Sequence, residues 1–570
     1  MSLSPPTTAT LVARRISKSR GTSVILQDVD LVVGPQHRVG ILGPNGVGKT
    51  TLLRIMAGLE AADAGDVSLA PPTANVSYLA QEADLAYRLP TSALPAPPPV
   101  PGETLRGYLG RRTEVDEAEA ALASAAAGLA AVPQPAEAET AYSVALDRYL
   151  ALGGPDFEAR IGGVLADLAL PERLLSVPMA GLSGGQRAKA DLAALLLSRF
   201  DVLLLDEPTN DLDFDGLERL ERFLESREGA LVVVSHDRAF LERVVNSILE
   251  IDEATHGATL YSGGWNAYLE ARATARRHAE EAYDSYVAER SRLQAREHEQ
   301  RQWAMKGVSR AKKGTPDNDK AQRDFRINRT EKQASKVRIT EKALARLEVV
   351  PKPFEAWQLN LELPEARRSG DLVALLDSAV VQRGDWTLGP VDLEVRYGDR
   401  LALLGPNGSG KTTLIGALLG RLPLESGVQR LGRSVVVGEI GQERRRFSTE
   451  EQPLLTTFQQ ATGLAAGESR SLLAKFGLAA DHVLRSAASL SPGERTRAEL
   501  ALLMALGTNC LVLDEPTNHL DLPAIEQLER ALDSWSGTLL LVTHDRRLLQ
   551  SVRLTCRLSL ADGKASTLPA

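Results

Sequence analysis

The chain has 570 residues, 43% hydrophobic and 25% charged, with a net charge of -8; it is too long for one hydrophobic core, and its composition excludes a disordered or fibrous protein. No run reaches the ~18 apolar residues of a membrane span, and residues 1–10 (MSLSPPTTAT) lack a positive region ahead of an apolar stretch, so no membrane insertion and no secretory signal are expected and the cytoplasm is the expected compartment. Two cysteines, Cys510 and Cys556, make neither a disulfide framework nor a metal-binding set and read as buried, inert thiols.

In chain order, the first chemical signal is an apolar run at 39–42 that enters GPNGVGKTTLL at 43–53. A loop G-x-x-x-x-G-K-[ST] between strand and helix wraps backbone N–H groups around phosphates, while its lysine reaches the outer phosphates and its hydroxyl binds magnesium. Gly43, Asn45, Gly46, Gly48, Lys49, Thr50 and Thr51 fill that loop, with Thr50 as the metal hydroxyl. A short strand then leads to Gln81. Residues 89–102 are proline-rich and read as an exposed loop, and 103–131 and 140–168 are alanine-rich with helical periodicity. The matching region later in the chain is about fifty residues shorter, so about 85–180 is read as an enlarged helical subdomain; the alternative, an arm for a polyanion, sits poorly with the acids between 114 and 139. LSGGQ follows at 182–186. A second buried run, 202–205, delivers Asp206 and Glu207 to its C-terminal edge; Asp206 suits magnesium and Glu207 suits polarisation of an attacking water. His236, after the β-branched run 232–234, stands where a γ-phosphate sensor would.

From 267 to about 303, Ala271, Ala275, Ala282, Tyr286 and Leu293 recur at helical spacing, and a second such stretch runs from about 320 to 349. GVSRAKKGTPDND at 307–319 reads as the turn between them, which makes 265–353 an antiparallel helical hairpin whose first arm spans on the order of 50 Å. Between 301 and 338 about twelve Lys/Arg stand against about four Asp/Glu, which leaves the rest of the molecule strongly acidic. Lys306, Arg310, Lys312 and Lys313, then Lys320, Arg323, Arg326 and Arg329, gather near the tip. One-sided charge at the end of a long projection suits phosphate contacts, and with only Trp303 and Phe325 nearby the expected target is the shape of RNA, not its bases.

The remainder repeats the beginning. GPNGSGKTTLI at 405–415, a glutamine at Gln442, LSPGE at 490–494, LVLDEPTNHLD at 511–521 and LLVTHD at 540–545 return in the same order. Gly405, Asn407, Gly408, Gly410, Lys411, Thr412 and Thr413 form the second phosphate loop, Thr412 and Asp514 the metal pair, Glu515 the second base and His544 the second sensor. A repeat of this kind removes chance as an explanation of either copy. The fold class is therefore α/β, with two P-loop domains in tandem, at 1–264 and 354–570, joined by the long hairpin.

The LSGGQ-type signatures, the loops 210–213 and 518–521 and the switch histidines set the chain apart from other P-loop NTPases, and nearly all of both domains resembles the ATP-binding cassette superfamily. The resemblance implies an ATPase using ATP and Mg2+, in which two cassettes of one monomer pair head to tail and close on ATP. It assigns Gln81 and Gln442 to the magnesium. It also implies composite sites: Lys49 with Ser491, Gly493 and Glu494, and Lys411 with Ser183, Gly184, Gly185 and Gln186. Tandem cassettes with a basic helical linker of about 85 residues and no membrane domain resemble the ABC-F family. That implies binding of the ribosome (rRNA and tRNA) in the ATP-closed state, with the linker reaching between the tRNA sites toward the peptidyl transferase centre. The DNDK-containing tip and LSPGERTRAELA resemble the antibiotic-resistance members, particularly actinobacterial ones. A general translation factor is the alternative, and an exporter subunit a lesser one, since a tether needs neither this length nor a basic tip.

Two departures mark the sites as unequal. LSPGE puts Pro492, which has no N–H, and acidic Glu494 where the other copy has Gly184 and Gln186. The aromatic that stacks on adenine is missing from the first copy, where Arg20 stands and its guanidinium plane is the expected substitute. The two sites are predicted to hydrolyse ATP at different rates. Single-turnover measurements on Glu207→Gln and Glu515→Gln variants check this, and equal rates would refute it.

Overall fold

Runs buried on both faces build two large sheets of identical topology. The computed structural model describes residues 9–79, 102–130, 137–312, 339–347 and 368–568, except 22, 73, 169, 183, 211, 228, 385, 441–446, 448–450, 479, 491, 519 and 562, with backbone alone at 184, 185, 188, 303–312, 480, 481, 492 and 493. The first cassette contributes β1 (Thr10–Arg20), β2 (Ser23–Val33), β3 (Arg38–Leu42), β4 (Ala64–Ala70), β5 (Val76–Leu79), β6 (Val202–Asp206), β7 (Ala230–Val234), β8 (Ser247–Ile251) and β9 (Ala258–Ser262). The second contributes β10 (Leu372–Arg383), β11 (Trp386–Arg396), β12 (Arg400–Leu404), β13 (Ser426–Leu431), β14 (Val437–Ile440), β15 (Cys510–Asp514), β16 (Thr538–Val542), β17 (Cys556–Ala561) and β18 (Lys564–Leu568).

The large sheets run β5-β6-β7-β3-β8-β9 and β14-β15-β16-β12-β17-β18, and the small antiparallel sheets run β2-β1-β4 and β11-β10-β13. Strands β6 (VLLLD) and β7 (ALVVV) are buried along their whole length, as central parallel strands covered on both faces must be. Because β6, β7 and β3 are parallel neighbours, the loops after their C-terminal ends meet at one edge. Those loops carry the acids, the switch histidine and the phosphate loop, so topology alone assembles each site. One core lies between each small sheet and its large sheet, around Leu52 and Ile55 in the first cassette and Leu414 and Leu418 in the second. Cys510 is buried in β15, whereas Cys556, expected to be buried, is half-exposed at the start of β17.

The two alanine-rich stretches expected at 103–131 and 140–168 each divide into two helices: Leu105–Arg112 and Val115–Ala130, then Ala138–Ala151 and Phe157–Asp167. The breaks fall at Glu114 (φ 59°) and Gly153 (φ 71°), both left-handed and incompatible with a continuous helix. Helices Val115–Ala130 and Ala138–Ala151 lie against each other and bury only Val115, Ala118 and Ala138, so this pair is anchored at its root.

The cassettes form one compact unit and 267–356 another. The linker opens with a continuous 49-residue helix, Gly264–Lys312, about 70 Å long. It runs through Gly307, where the turn was expected to begin, so Lys306, Arg310 and Lys312 lie on the helix. Residues 339–346 of the return arm are helical, and Thr340 Oγ1 donates to Gln300 Oε1 at 3.0 Å, which joins the two arms. Lys313, Lys320, Arg323, Arg326 and Arg329 lie outside the described residues. No helix among the described residues is long and apolar enough to cross a membrane.

Candidate active sites

Each phosphate loop ends in a glycine that caps the following helix: Gly48 (φ 109°) ahead of Lys49–Met56 and Gly410 (φ 100°) ahead of Lys411–Leu418. No side chain caps either helix, so the first-turn N–H groups are left for an anion. Lys49 Nζ donates to Gly43 O (2.7 Å) and Pro44 O (3.0 Å), and Lys411 Nζ to Gly405 O (2.7 Å) and Pro406 O (3.1 Å). Both ammonium groups therefore arch back over the loop. Burial lowers both lysine pKa values against the pull of nearby carboxylates, among them Asp521 for Lys49 and Asp213 for Lys411. Those two aspartates belong to the opposite cassette in each case.

Asp206 and Asp514 close β6 and β15. Tyr78 Oη donates to Asp206 Oδ2 at 3.3 Å, whereas Thr412 Oγ1 donates to Asp514 Oδ2 at 3.4 Å. Glu207 (φ 49°) and Glu515 (φ 48°) are left-handed, a conformation that costs about 1–3 kcal/mol for such residues. Their amides donate to Val234 O and Val542 O, each at 2.9 Å, which anchors the strained turn. Glu207 Oε1 lies 3.2 Å from His236 Nε2, and Glu515 Oε1 lies 3.6 Å from His544 Nε2. Burial raises both glutamate pKa values, Glu515 to about 8. Burial also lowers His544 to about 4, helped by Lys411. Adjacent buried acids with a threonine hydroxyl are the hard oxygen set that suits Mg2+, whose charge would favour their ionised forms; Glu515 Oε1 accepts no hydrogen bond among the described residues.

The sites extend across the cassette pair. Asn407 N, in the second phosphate loop, donates to Asp213 Oδ2 of the first cassette at 3.1 Å, while Asp213 Oδ1 accepts from Gly216 N at 3.0 Å and caps helix Phe214–Ser226. A cavity of about 560 Å³ is walled by Lys411, Thr412 and Glu515 on one side and Thr209, Asn210 and His236 on the other. Two ion pairs with pseudo-twofold symmetry hold the faces together: Arg546 to Glu221 (2.9 Å) and Arg238 to Glu529. Each arginine stands two residues after its switch histidine. Glu221, 1% exposed, also receives Arg243 of its own cassette at 2.5 Å, and Arg547 pairs with Glu242 alongside.

Gln81, Gln442, Ser183 and Ser491 lie outside the described residues. Gly184, Gly185 and Gln186 open helix Gly184–Leu197, and Pro492, Gly493 and Glu494 open helix Pro492–Ala505; at that first helical position proline sacrifices no helix hydrogen bond. Glu494 is paired with His482 (3.0 Å) and Arg485 (3.5 Å) of its own cassette, so its charge is matched locally. Arg20 is not a substitute for the missing aromatic. Its guanidinium goes to Glu60 (3.4 Å) and Thr51 Oγ1 (3.5 Å). Strand register pairs Arg20 with Ser23 in the first cassette and Arg383 with Trp386 in the second, so Ser23 occupies the place of Trp386. Trp386 lines the cavity and packs on Gly410; the repeated Arg-Gly at 20–21 and 383–384 could have located it. The cross-cassette arginines were also legible, since His-Asp-Arg recurs at 236–238 and 544–546.

This geometry defines a tandem nucleoside-triphosphate hydrolase, and the comparisons narrow it. A profile of the ABC transporter family matches residues 26–210 and 388–518. The tylosin resistance ATP-binding protein TlrC of Streptomyces fradiae is 35% identical over 541 residues, covering 94% of this chain and 94% of that protein. The energy-dependent translational throttle protein EttA of Mycobacterium tuberculosis is 31% identical over 538 residues, covering 94% and 88%. A solved RNase-L inhibitor shares the fold with a TM-score of 0.57 at 18% identity, over 98% of this chain and 90% of that one. The chain belongs to the ABC-F family of tandem ATP-binding-cassette proteins, and its activity is ATP hydrolysis.

At the pseudo-twofold, burial and the facing Asp545 carboxylate raise Asp237 to about 6, against Arg546 and the amides of Phe240 and Ala239. A raised folded value confers stability that is complete below the ordinary value of 3.8 and is lost as pH rises through about 6. Asp237→Asn keeps the helix cap that the carboxylate now gives Phe240 N. It is expected to stabilise the nucleotide-free protein near neutral pH by on the order of 1–2 kcal/mol, with the gain vanishing toward about pH 4. Calorimetric midpoints across that range measure it.

Proposed function

We propose that the protein binds the ribosome in its ATP-closed state and uses the basic linker near the tRNA sites and the peptidyl transferase centre to protect translation from an antibiotic. The observation that carries this reading is the continuous 49-residue helix Gly264–Lys312, whose far end leads into the basic segment 301–338. A tether between two domains needs no such length. Lys306, Arg310 and Lys312 on this helix, with Lys313, Lys320, Arg323, Arg326 and Arg329 after it in the sequence, are the cations proposed to contact RNA phosphates. Full-length similarity to a protein named for tylosin resistance supports the resistance reading, and similarity to one named as a translational throttle supports the ribosome. A monomer in the cytoplasm suffices, since both halves of each composite site lie in one chain.

In each site the phosphate-loop amides and Lys49 or Lys411 hold the ATP phosphates, and the opposite signature segment, Ser491–Gly493 or Ser183–Gly185, completes the enclosure. Thr50, Asp206 and Gln81, or Thr412, Asp514 and Gln442, would hold Mg2+, which would supply charge to neutralise the phosphates. Glu207 and Glu515 orient the attacking water and draw off its proton, and His236 and His544 hold the glutamate and phosphate ends of the site in register. Hydrolysis removes the charge that both faces grip, and the clamp opens.

A Glu207→Gln, Glu515→Gln double variant is expected to co-sediment with ribosomes in an ATP-dependent manner. In vitro translation inhibited by macrolide, lincosamide, streptogramin or phenicol should be rescued by the wild type for at least one class. Sedimentation without rescue would favour a general translation factor; no sedimentation would overturn the ribosome reading.

A further inference from the structure

His544 of the second cassette meets the ring of Phe214 from the first, with centroids 5.1 Å apart and planes at 70°. Phe214 is the first residue of the helix capped by Asp213. The corresponding residue after Asp521 is Leu522, so this position offers His236 no ring.

His544 Nε2 lies 3.4 Å from Lys411 Nζ and 3.6 Å from Glu515 Oε1, whereas Nδ1 has no hydrogen-bond partner among the described residues. An imidazole held through one nitrogen keeps its orientation only by packing. A near-perpendicular aromatic pair at this separation is the favoured arrangement, with one ring's positive edge on the other's negative face. Phe214 reaches His544 from a loop that Asp213 docks onto Asn407 N of the second phosphate loop. The contact therefore exists only when the first cassette is seated on the second.

We propose that Phe214 is a positioning residue for the second ATP site: by edge-to-face packing across the cassette pair it holds His544 in its working orientation, and makes hydrolysis there depend on closure more steeply than at the first site, where Leu522 replaces the ring. The inference rests on the assignment of Glu515 and His544 to the hydrolytic machinery.

The test measures steady-state ATP turnover by the full chain in two backgrounds: Glu207→Gln, which leaves the second site to report, and Glu515→Gln, which leaves the first. In the former, Phe214→Leu is expected to lower kcat by about two- to tenfold, with KM for ATP changed by less than about twofold, and Phe214→Tyr to retain most of the rate. The fall in the Glu515→Gln background should be clearly smaller. Equal falls in both backgrounds, a change confined to KM, or equal losses for Leu and Tyr would overturn the proposal, because a merely structural role would affect the sites alike. If Glu515→Gln leaves the wild-type turnover intact, the underlying site assignment fails instead, whatever Phe214 does.

Discussion

Glu221 is a carboxylate with almost no access to water, and a charge in that position must find cations. It takes one from its own cassette, Arg243, and one from the other, Arg546. With both arginines present the buried carboxylate is compensated from the two cassettes at once, whereas a buried charge left with no partner is strongly destabilising. Arg546 follows His544 and Asp545 directly, so whatever anchors Arg546 also fixes the segment that senses the nucleotide. The mirror pair, Arg238 with Glu529, does the same for His236. Both ATP sites thus depend on contacts that only the paired cassettes supply.

Within that frame, each site gathers groups that are unstable together without a ligand. Left-handed glutamates, aspartates at strand ends, and helix N-termini with no side-chain cap all face one cleft. Burial raises the pKa values of the glutamates and lowers those of the lysines. A polyanion and a metal ion together would satisfy both sets of groups, which is the physical basis for the proposal that ATP closes the cassette pair. The sites are not copies of each other. Trp386 against Ser23, Thr412 on Asp514 where Tyr78 meets Asp206, Phe214 against Leu522 and the locally paired Glu494 give the second and first sites different surroundings on one topology.

Most of the cassette architecture was readable because it rests on short-range rules. A strand that must be buried on both faces reads as VLLL or LVVV, a phosphate loop needs glycines at fixed offsets, and recurrence of the whole set in order excludes accident. What escaped is what depends on strand register and on the partner face. The place of Trp386 follows from the pairing of β10 with β11, which puts Trp386 opposite Arg383 and Ser23 opposite Arg20; in the sequence only the repeated Arg-Gly at 20–21 and 383–384 marks that register, so the expected stacking position falls on Arg20 instead of Ser23. The first linker helix continues past Gly307, where the turn was expected to begin, because glycine lowers helix propensity by only about 1 kcal/mol. Glu221 and Glu529 look like ordinary charges on an amphipathic helix until the second cassette is laid against them.

Reciprocal ion pairs complete the two sites across the cassette pair, and a double-mutant cycle on Arg546 and Glu221 tests this directly. ATP turnover is measured for Arg546→Gln, Glu221→Gln and the double variant. If the pair acts as a unit, either single change lowers turnover and the double variant loses little more than the worse single one. Losses that simply multiply would show that the two residues act independently, and would contradict the account.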